Sequence, residues 1–251
     1  MAAQALDLVN SGKLKEAADL YSALLLKYPT SGVAPEALFR LGYIQFVQGD
    51  YAKAMATLKR IVSPPATPEI KAAGDALIGQ VIATQASKMD PDDPKRKAAF
   101  KDAIKQFDTF IQTYPKSPEV ESANYGRAMA AFQIQDFEPA VQSLRDNLKQ
   151  FSSSESVLDS EDLLAVVLTG QASSILRDHG DQDAAMGKFT EALHFLADII
   201  TRPQCSKWLE AWEVAISERT SPRVQQDAVR AARACAHQLR LQKFPRPDHR
   251  A

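Results

Sequence analysis

The chain has 251 residues, 45% of them apolar and 24% charged, and a net charge of −1. That balance fits a globular protein and argues against disorder and against wholesale adsorption to nucleic acid or membrane. No stretch approaches the run of uncharged apolar residues that a membrane-spanning helix needs. The opening MAAQALDLVNSGKLKEAADL has neither a basic start nor a continuous apolar core, so it does not read as a signal peptide. If Met1 is the true start, the cytoplasm is the expected location; if it begins a fragment, export stays open.

Taken in order, the chain repeats itself. Ala17 returns as Ala54, Ala103 and Ala140, at steps of 37, 49 and 37 residues (54 − 17, 103 − 54, 140 − 103). Each is followed four residues later by a large side chain: Tyr21, Leu58, Phe107 and Leu144. Three have another large residue three further on, Leu24, Ile61 and Phe110; the fourth has Asn147. A period in this range marks stacked supersecondary units, each of which buries its apolar face against its neighbours.

The first unit carries Gly12, Ala17, Tyr21, Leu24 and Tyr28-Pro29. The second is the cleanest. Pro35 and Glu36 suit a first helical turn, Leu38, Leu41 and Val47 give an apolar stripe, and Gly49-Asp50 signals a turn. Ala54, Leu58 and Ile61 then form the stripe of a second helix, so the unit reads as an antiparallel helix hairpin. Gly42 and Ala54 are small so that the two helices can approach, and Leu58 fills the space beside them. The third unit has Ala73, Leu77 and Gly79, then Phe100, Ala103, Phe107, Phe110 and Tyr114-Pro115, with about 12 extra residues (49 − 37) around MDPDDPKRK. The fourth has Ala123, Ala128, Phe132, Asp136-Phe137, Ala140 and Leu144, with Gln135 in place of the turn glycine. The fifth has Leu163, Leu164 and Val167, then Phe189, Ala192, Leu196 and Ile199, with about 15 extra residues near RDHGDQD. Units three and five are therefore expected to carry long loops inside the hairpin.

Leu38, Leu41-Gly42, Phe46, Gly49-Asp50-Tyr51, Ala54, Leu58 and Ile61 resemble the tetratricopeptide repeat. The resemblance implies an all-α, right-handed α-solenoid of helix hairpins. Five repeats are expected over residues 1–201, at about 1–30, 31–66, 67–116, 117–152 and 153–201. The phrases Tyr28-Pro29-Thr30-Ser31, Ala34-Pro35-Glu36-Ala37 and Tyr114-Pro115-Lys116-Ser117-Pro118 are similar to those of bacterial cell-envelope members, the outer-membrane barrel-assembly lipoprotein and the Tol-Pal system coordinator. That likeness implies the periplasm or cell envelope if the chain is a fragment. In this repeat family first-helix residues line a concave groove. By resemblance the candidate partner-binding residues are Phe39, Tyr43, Phe46, Tyr125 and Met129, with inter-repeat core as the alternative reading, for Phe39 and Tyr125 above all, and the expected partner is a protein or peptide. The sequence leaves the oligomeric state open.

After Thr201 the pattern stops. Residues 1–201 carry 20 Lys+Arg against 26 Asp+Glu, whereas residues 202–251 carry 10 against 5, a net of +5. Trp208, Leu209, Trp212 and Ile216 could cover the last repeat as a terminal cap. Ser221-Pro222 suits the start of a final helix, with Arg223, Arg230, Arg233 and Arg240 on one face. This basic tail is either a solvated cap or an element for nucleic acid or an anionic surface. The abrupt change is also what a reading-frame error would leave. Cys205 and Cys235 would be a disulfide or two buried thiols.

The short motifs of phosphate, dinucleotide and zinc-protease chemistry are missing, so neither an enzyme nor a cofactor is expected. The histidines, His179, His194, His237 and His249, are scattered. Asp90, Asp92 and Asp93, and Asp178, Asp181 and Asp183, lack the full calcium-loop pattern and are expected to be solvated loop carboxylates.

Overall fold

The computed structural model describes residues 1–62, 65–154 and 156–201, with side chains through Leu196. The expected tail lies outside the described residues, with its Arg223, Arg230, Arg233 and Arg240 face, its tryptophans and both cysteines, and so does the Ile199 side chain.

Among the described residues there are ten helices and no strand: α1 (Ala2–Asn10), α2 (Leu14–Lys27), α3 (Ala34–Val47), α4 (Tyr51–Leu58), α5 (Pro68–Ser87), α6 (Pro94–Thr113), α7 (Val120–Gln133), α8 (Phe137–Gln150), α9 (Val157–His179) and α10 (Gln182–Thr201). The fold is all-α, of the α-solenoid class built from tetratricopeptide-like hairpins. The chain divides into two compact units, Met1–Ile134 and a second that begins at Gln135.

In the first unit α1 packs on α2, α3 on α4 and α5 on α6, and each hairpin's second helix packs on the next hairpin's first. The first helices also touch directly, α3 against α5 and α5 against α7. The recurrent alanines explain this closeness: Ala17, Ala54 and Ala103 are each fully buried, as Ala140 is in the second unit. Gly42 completes the expected approach, since a methyl there would lie 2.6 Å from Leu58 Cδ2. Phe107 is held more tightly still. A methyl at Gly79, in its own hairpin, would sit 2.6 Å from the Phe107 ring, and one at Gly126, in the next first helix, 2.7 Å from its other edge. One ring therefore keys two hairpins together through two glycines.

The extra residues of units three and five do not form long loops. They lengthen the helices: α5 and α6 have 20 residues each and α9 has 23, against 14 in α3 and 8 in α4. The connectors are only residues 88–93 and 180–181. The cause is local. Asp93 Oδ1 accepts the Lys95 N–H at 2.8 Å and Pro94 occupies the first turn, so α6 starts early inside KRKAAFKDAIK, a run of good helix formers. Gly180 ends α9 in a left-handed conformation. Val47 departs from expectation as well: it is 51% exposed, off the buried stripe of Leu38, Leu41 and Ile44.

In the second unit α8 packs on α9 and α9 on α10. Leu144, Leu164, Val167 and Leu168 form its fully buried apolar centre. Asn147, the exception in the repeat pattern, is also buried and donates from Nδ2 to Ser160 Oγ at 3.1 Å, tying α8 to α9.

Candidate functional site

The candidate residues of α3 share one helical face. Phe39, Tyr43, Phe46 and Val47 stand at i, i+4, i+7 and i+8, opposite the buried Ala37, Leu38, Leu41 and Ile44. Tyr43 is 47% exposed, while Phe39 and Phe46 are half-buried against the core. On α7 the same register holds Tyr125, Met129, Phe132 and Gln133; Met129 is 36% exposed and Tyr125 is half-buried. Val47 belongs with these residues and was missed by the sequence reading, which placed it in the core stripe. Its offset of four from Tyr43 is the signal that places it.

Between these two helices lies α5, which touches both. Gly42 and Gly79 play the same part in their hairpins, 37 residues apart, so the face of α5 that matches Phe39, Tyr43, Phe46 and Val47 carries Ala76, Gln80, Ala83 and Thr84. At the register of Tyr43 and Met129 α5 carries Gln80, flanked by the small Ala76, Ala83 and Thr84.

The charges on these three helices are paired or held at helix starts. Arg40 Nε lies 2.6 Å from Glu36 Oε1. Lys71 pairs with Asp75, whose Oδ2 also accepts the Tyr114 hydroxyl at 3.1 Å. Burial and then Asp75 push the Tyr114 phenol up, which keeps it a donor at neutral pH. Arg127 Nη1 donates to Asp108 Oδ1 at 2.7 Å. Glu69 sits in the first turn of α5, where its own backbone N–H and then the Thr67 hydroxyl lower its carboxyl. Glu121 sits in the first turn of α7, which favours a negative charge.

The acidic loops serve the backbone. Asp90 Oδ1 accepts the Asp92 N–H at 2.9 Å, and Asp181 Oδ1 accepts the Ala184 N–H at 2.9 Å. Among the described residues no group of His, Cys, Asp and Glu is placed to hold a metal ion, and no helix is long and apolar enough to cross a membrane. His179 and His194 are exposed.

Comparisons with known proteins bear on the fold. Residues 2–69 match the tetratricopeptide repeat family model. A solved structure described as "MamA RS-1 ArsTM double mutant" superposes with a TM-score of 0.53 at 14% identity, over 77% of this chain and 90% of that one. A tetratricopeptide repeat protein from Parabacteroides merdae superposes with a TM-score of 0.50 at 16% identity, over 92% of this chain and 97% of that one. At these identities the likeness is one of fold. No curated protein matches the chain. Folds of this type serve generally as non-catalytic scaffolds for protein partners.

Proposed function

We propose that the protein is a non-enzymatic interaction scaffold of five repeats, about 1–30, 31–66, 67–116, 117–152 and 153–201. It holds a segment of another protein against α3, α5 and α7. The observation that carries this reading is the exposure of Tyr43 and Val47 on α3 and of Met129, at the register of Tyr43, on α7, on either side of α5, which touches both helices. Exposed aromatic and Met side chains rimmed by polar groups are what partner sites are made of. A bacterial envelope setting is part of the proposal and is supported by the Tyr-Pro phrases at residues 28–31 and 114–118.

Affinity capture from a lysate of the source organism with the full chain, and with its Tyr43→Ala and Met129→Ala variants, tests the site. A partner held by the parent and depleted at least fivefold by both variants, with unchanged thermal melts, is the expected result. Identical captured sets in all three would mean that the partner binds elsewhere. The alternative is an adaptor for nucleic acid or an anionic surface working through residues 202–251, whose net charge is +5. It predicts binding that collapses with salt and vanishes when those residues are deleted.

A further inference from the structure

Four large apolar side chains stand exposed around the connectors that follow α2 and α4: Leu26 (87% exposed), Tyr28 (48%), Val33 (50%) and Val62 (55%). Leu26 is the most exposed large hydrophobic side chain among the described residues. It lies on α2 opposite the buried Ala17, Tyr21 and Leu24.

The two connectors share one edge of the first unit. α2 packs on α3 and α3 on α4, and short connections, residues 28–33 and 48–50, reverse the chain each time. The last turns of α2 and α4 therefore flank the first turn of α3. The first connector is firmly folded. The Tyr28 carbonyl accepts the Ser31 hydroxyl at 3.0 Å, and the Ser31 carbonyl accepts the Ala34 N–H at 2.9 Å.

Cations alternate with these apolar groups, and acids do not. Lys27 follows Leu26, with Nζ 5.3 Å from the centre of the Tyr28 ring, and Lys59 and Arg60 precede Val62. Residues 20–35 and 51–68 contain neither Asp nor Glu. Among the described residues none of Lys27, Lys59 and Arg60 is in an ion pair. Of the acids that begin the next helices, Glu36 pairs with Arg40 and Glu69 faces the positive end of α5.

The chemistry selects the occupant. A protein partner buries a contiguous apolar centre and keeps charges at its rim, whereas here cations stand between the apolar groups. A nucleic acid would pair with the cations and leave Leu26 and Val62 bare. The interface of an anionic bilayer takes Leu, Val and Tyr one by one and holds Lys and Arg among its headgroups.

We propose that this edge docks the protein peripherally on an anionic membrane surface. Leu26, Tyr28, Val33 and Val62 enter the headgroup layer, and Lys27, Lys59 and Arg60 meet the lipid phosphates and carboxylates. The docking is independent of whether the face of α3, α5 and α7 binds a protein.

The probes are vesicles of phosphatidylcholine with about 30% phosphatidylserine and vesicles of phosphatidylcholine alone, sedimented with the full-length protein at about 50 mM and about 500 mM NaCl. Three double variants are compared with the parent. Leu26→Ser with Val62→Ser removes apolar groups, and Lys59→Glu with Arg60→Glu reverses cations. Lys13→Glu with Lys15→Glu makes the same change of net charge at the other end of α2. All six side chains are exposed, and thermal melts confirm that the variants fold.

At low salt the parent should bind the anionic vesicles about tenfold better than the neutral ones, and high salt should weaken that binding about fivefold. Each edge variant should lose about fivefold, and the Lys13 and Lys15 variant less than about twofold. Failure of the parent to bind anionic vesicles would overturn the proposal. Equal losses in the two charge-reversed proteins, or unchanged binding in both edge variants, would overturn it too, by assigning the attachment to net charge or to the basic residues 202–251. Loss on charge reversal alone, with the serine variant binding like the parent, would overturn the entry of the apolar side chains.

Discussion

In the unit Met1–Ile134 the helices are keyed by shape: Phe107 fills the space left by Gly79 and Gly126, Leu58 that left by Gly42, and Ile61 Cδ1 would lie 2.9 Å from a methyl at Gly74. In residues 135–201 one of the contacts between helices is polar and buried. Ser143, Asn147, Ser160 and Thr169 are all buried. The Ser143 and Thr169 hydroxyls donate within their own helices to the carbonyls of Pro139 and Ala165, while Asn147 reaches across from α8 to Ser160 on α9. Apolar interlocking is sensitive to volume; a buried hydrogen bond is sensitive to the loss of either partner. The two units should therefore break under different insults.

The largest effect is expected at Phe107. Phe107→Ala removes a fully buried ring from between two helices that cannot close on it, and should cost about 3–5 kcal/mol in urea unfolding. Gly126→Ala should cost about 1–3 kcal/mol through overpacking. The two must couple: in the Phe107→Ala background the Gly126→Ala cost should nearly vanish, because the atom it strikes is gone. Additive effects would show that the ring is not the key between the hairpins.

This lock was half legible in the sequence. The spacing of Ala103, Phe107 and Phe110 announces a buried stripe, and Gly79 takes the place of Gly42 in the repeat. The contact of Gly126 with Phe107 was not legible, since it joins one unit to the next and Gly126 falls outside the repeat's small-residue beat. The helix extensions escaped for a different reason. MDPDDPKRK reads as a loop by its prolines and acids, yet Asp93-Pro94 is a helix start, and a start signal inside an insertion shortens the loop. Of the candidate site, the positions on α3 and α7 come from the resemblance to the repeat family, while the pairing of Arg127 with Asp108 depends on residues 19 apart in sequence.

Second in size is Asn147. Asn147→Ala should cost about 1–3 kcal/mol, because Ser160 loses its partner across α8 and α9 and a small cavity forms. Urea unfolding of the variant checks it. A cost near zero would mean that polar contacts do not hold this unit together.

Third is pH. Asp162, on α9, is pushed up to about 7 by burial and then by Asp159 one turn earlier. Its folded-state value lies above its ordinary 3.8, so the fold prefers the protonated acid. The stability this contributes is complete below 3.8 and is lost as pH rises toward about 7. Thermal melts should accordingly fall between pH 4 and pH 7 and level off above. Asp162→Asn, which cannot ionise, should flatten that decline. A variant whose melts follow the parent's at every pH would assign the slope to other groups.

The smallest effect separates backbone from side chain. Gly49, between α3 and α4, and Gln135, between α7 and α8, hold the same left-handed turn, with φ of 83° and 61°. A non-glycine residue there bears about 1–2 kcal/mol of steric cost that glycine escapes. Glycine gives back about 0.5–1 kcal/mol through the freedom it has when unfolded. The net for Gln135→Gly is a gain of roughly 0.5 kcal/mol, and Gly49→Gln should lose about as much, both read from urea midpoints at constant slope. Since Gln135 is exposed, no packing change should mask the backbone effect. Destabilisation by Gln135→Gly would mean that the glutamine side chain makes a contact worth more than the strain it tolerates.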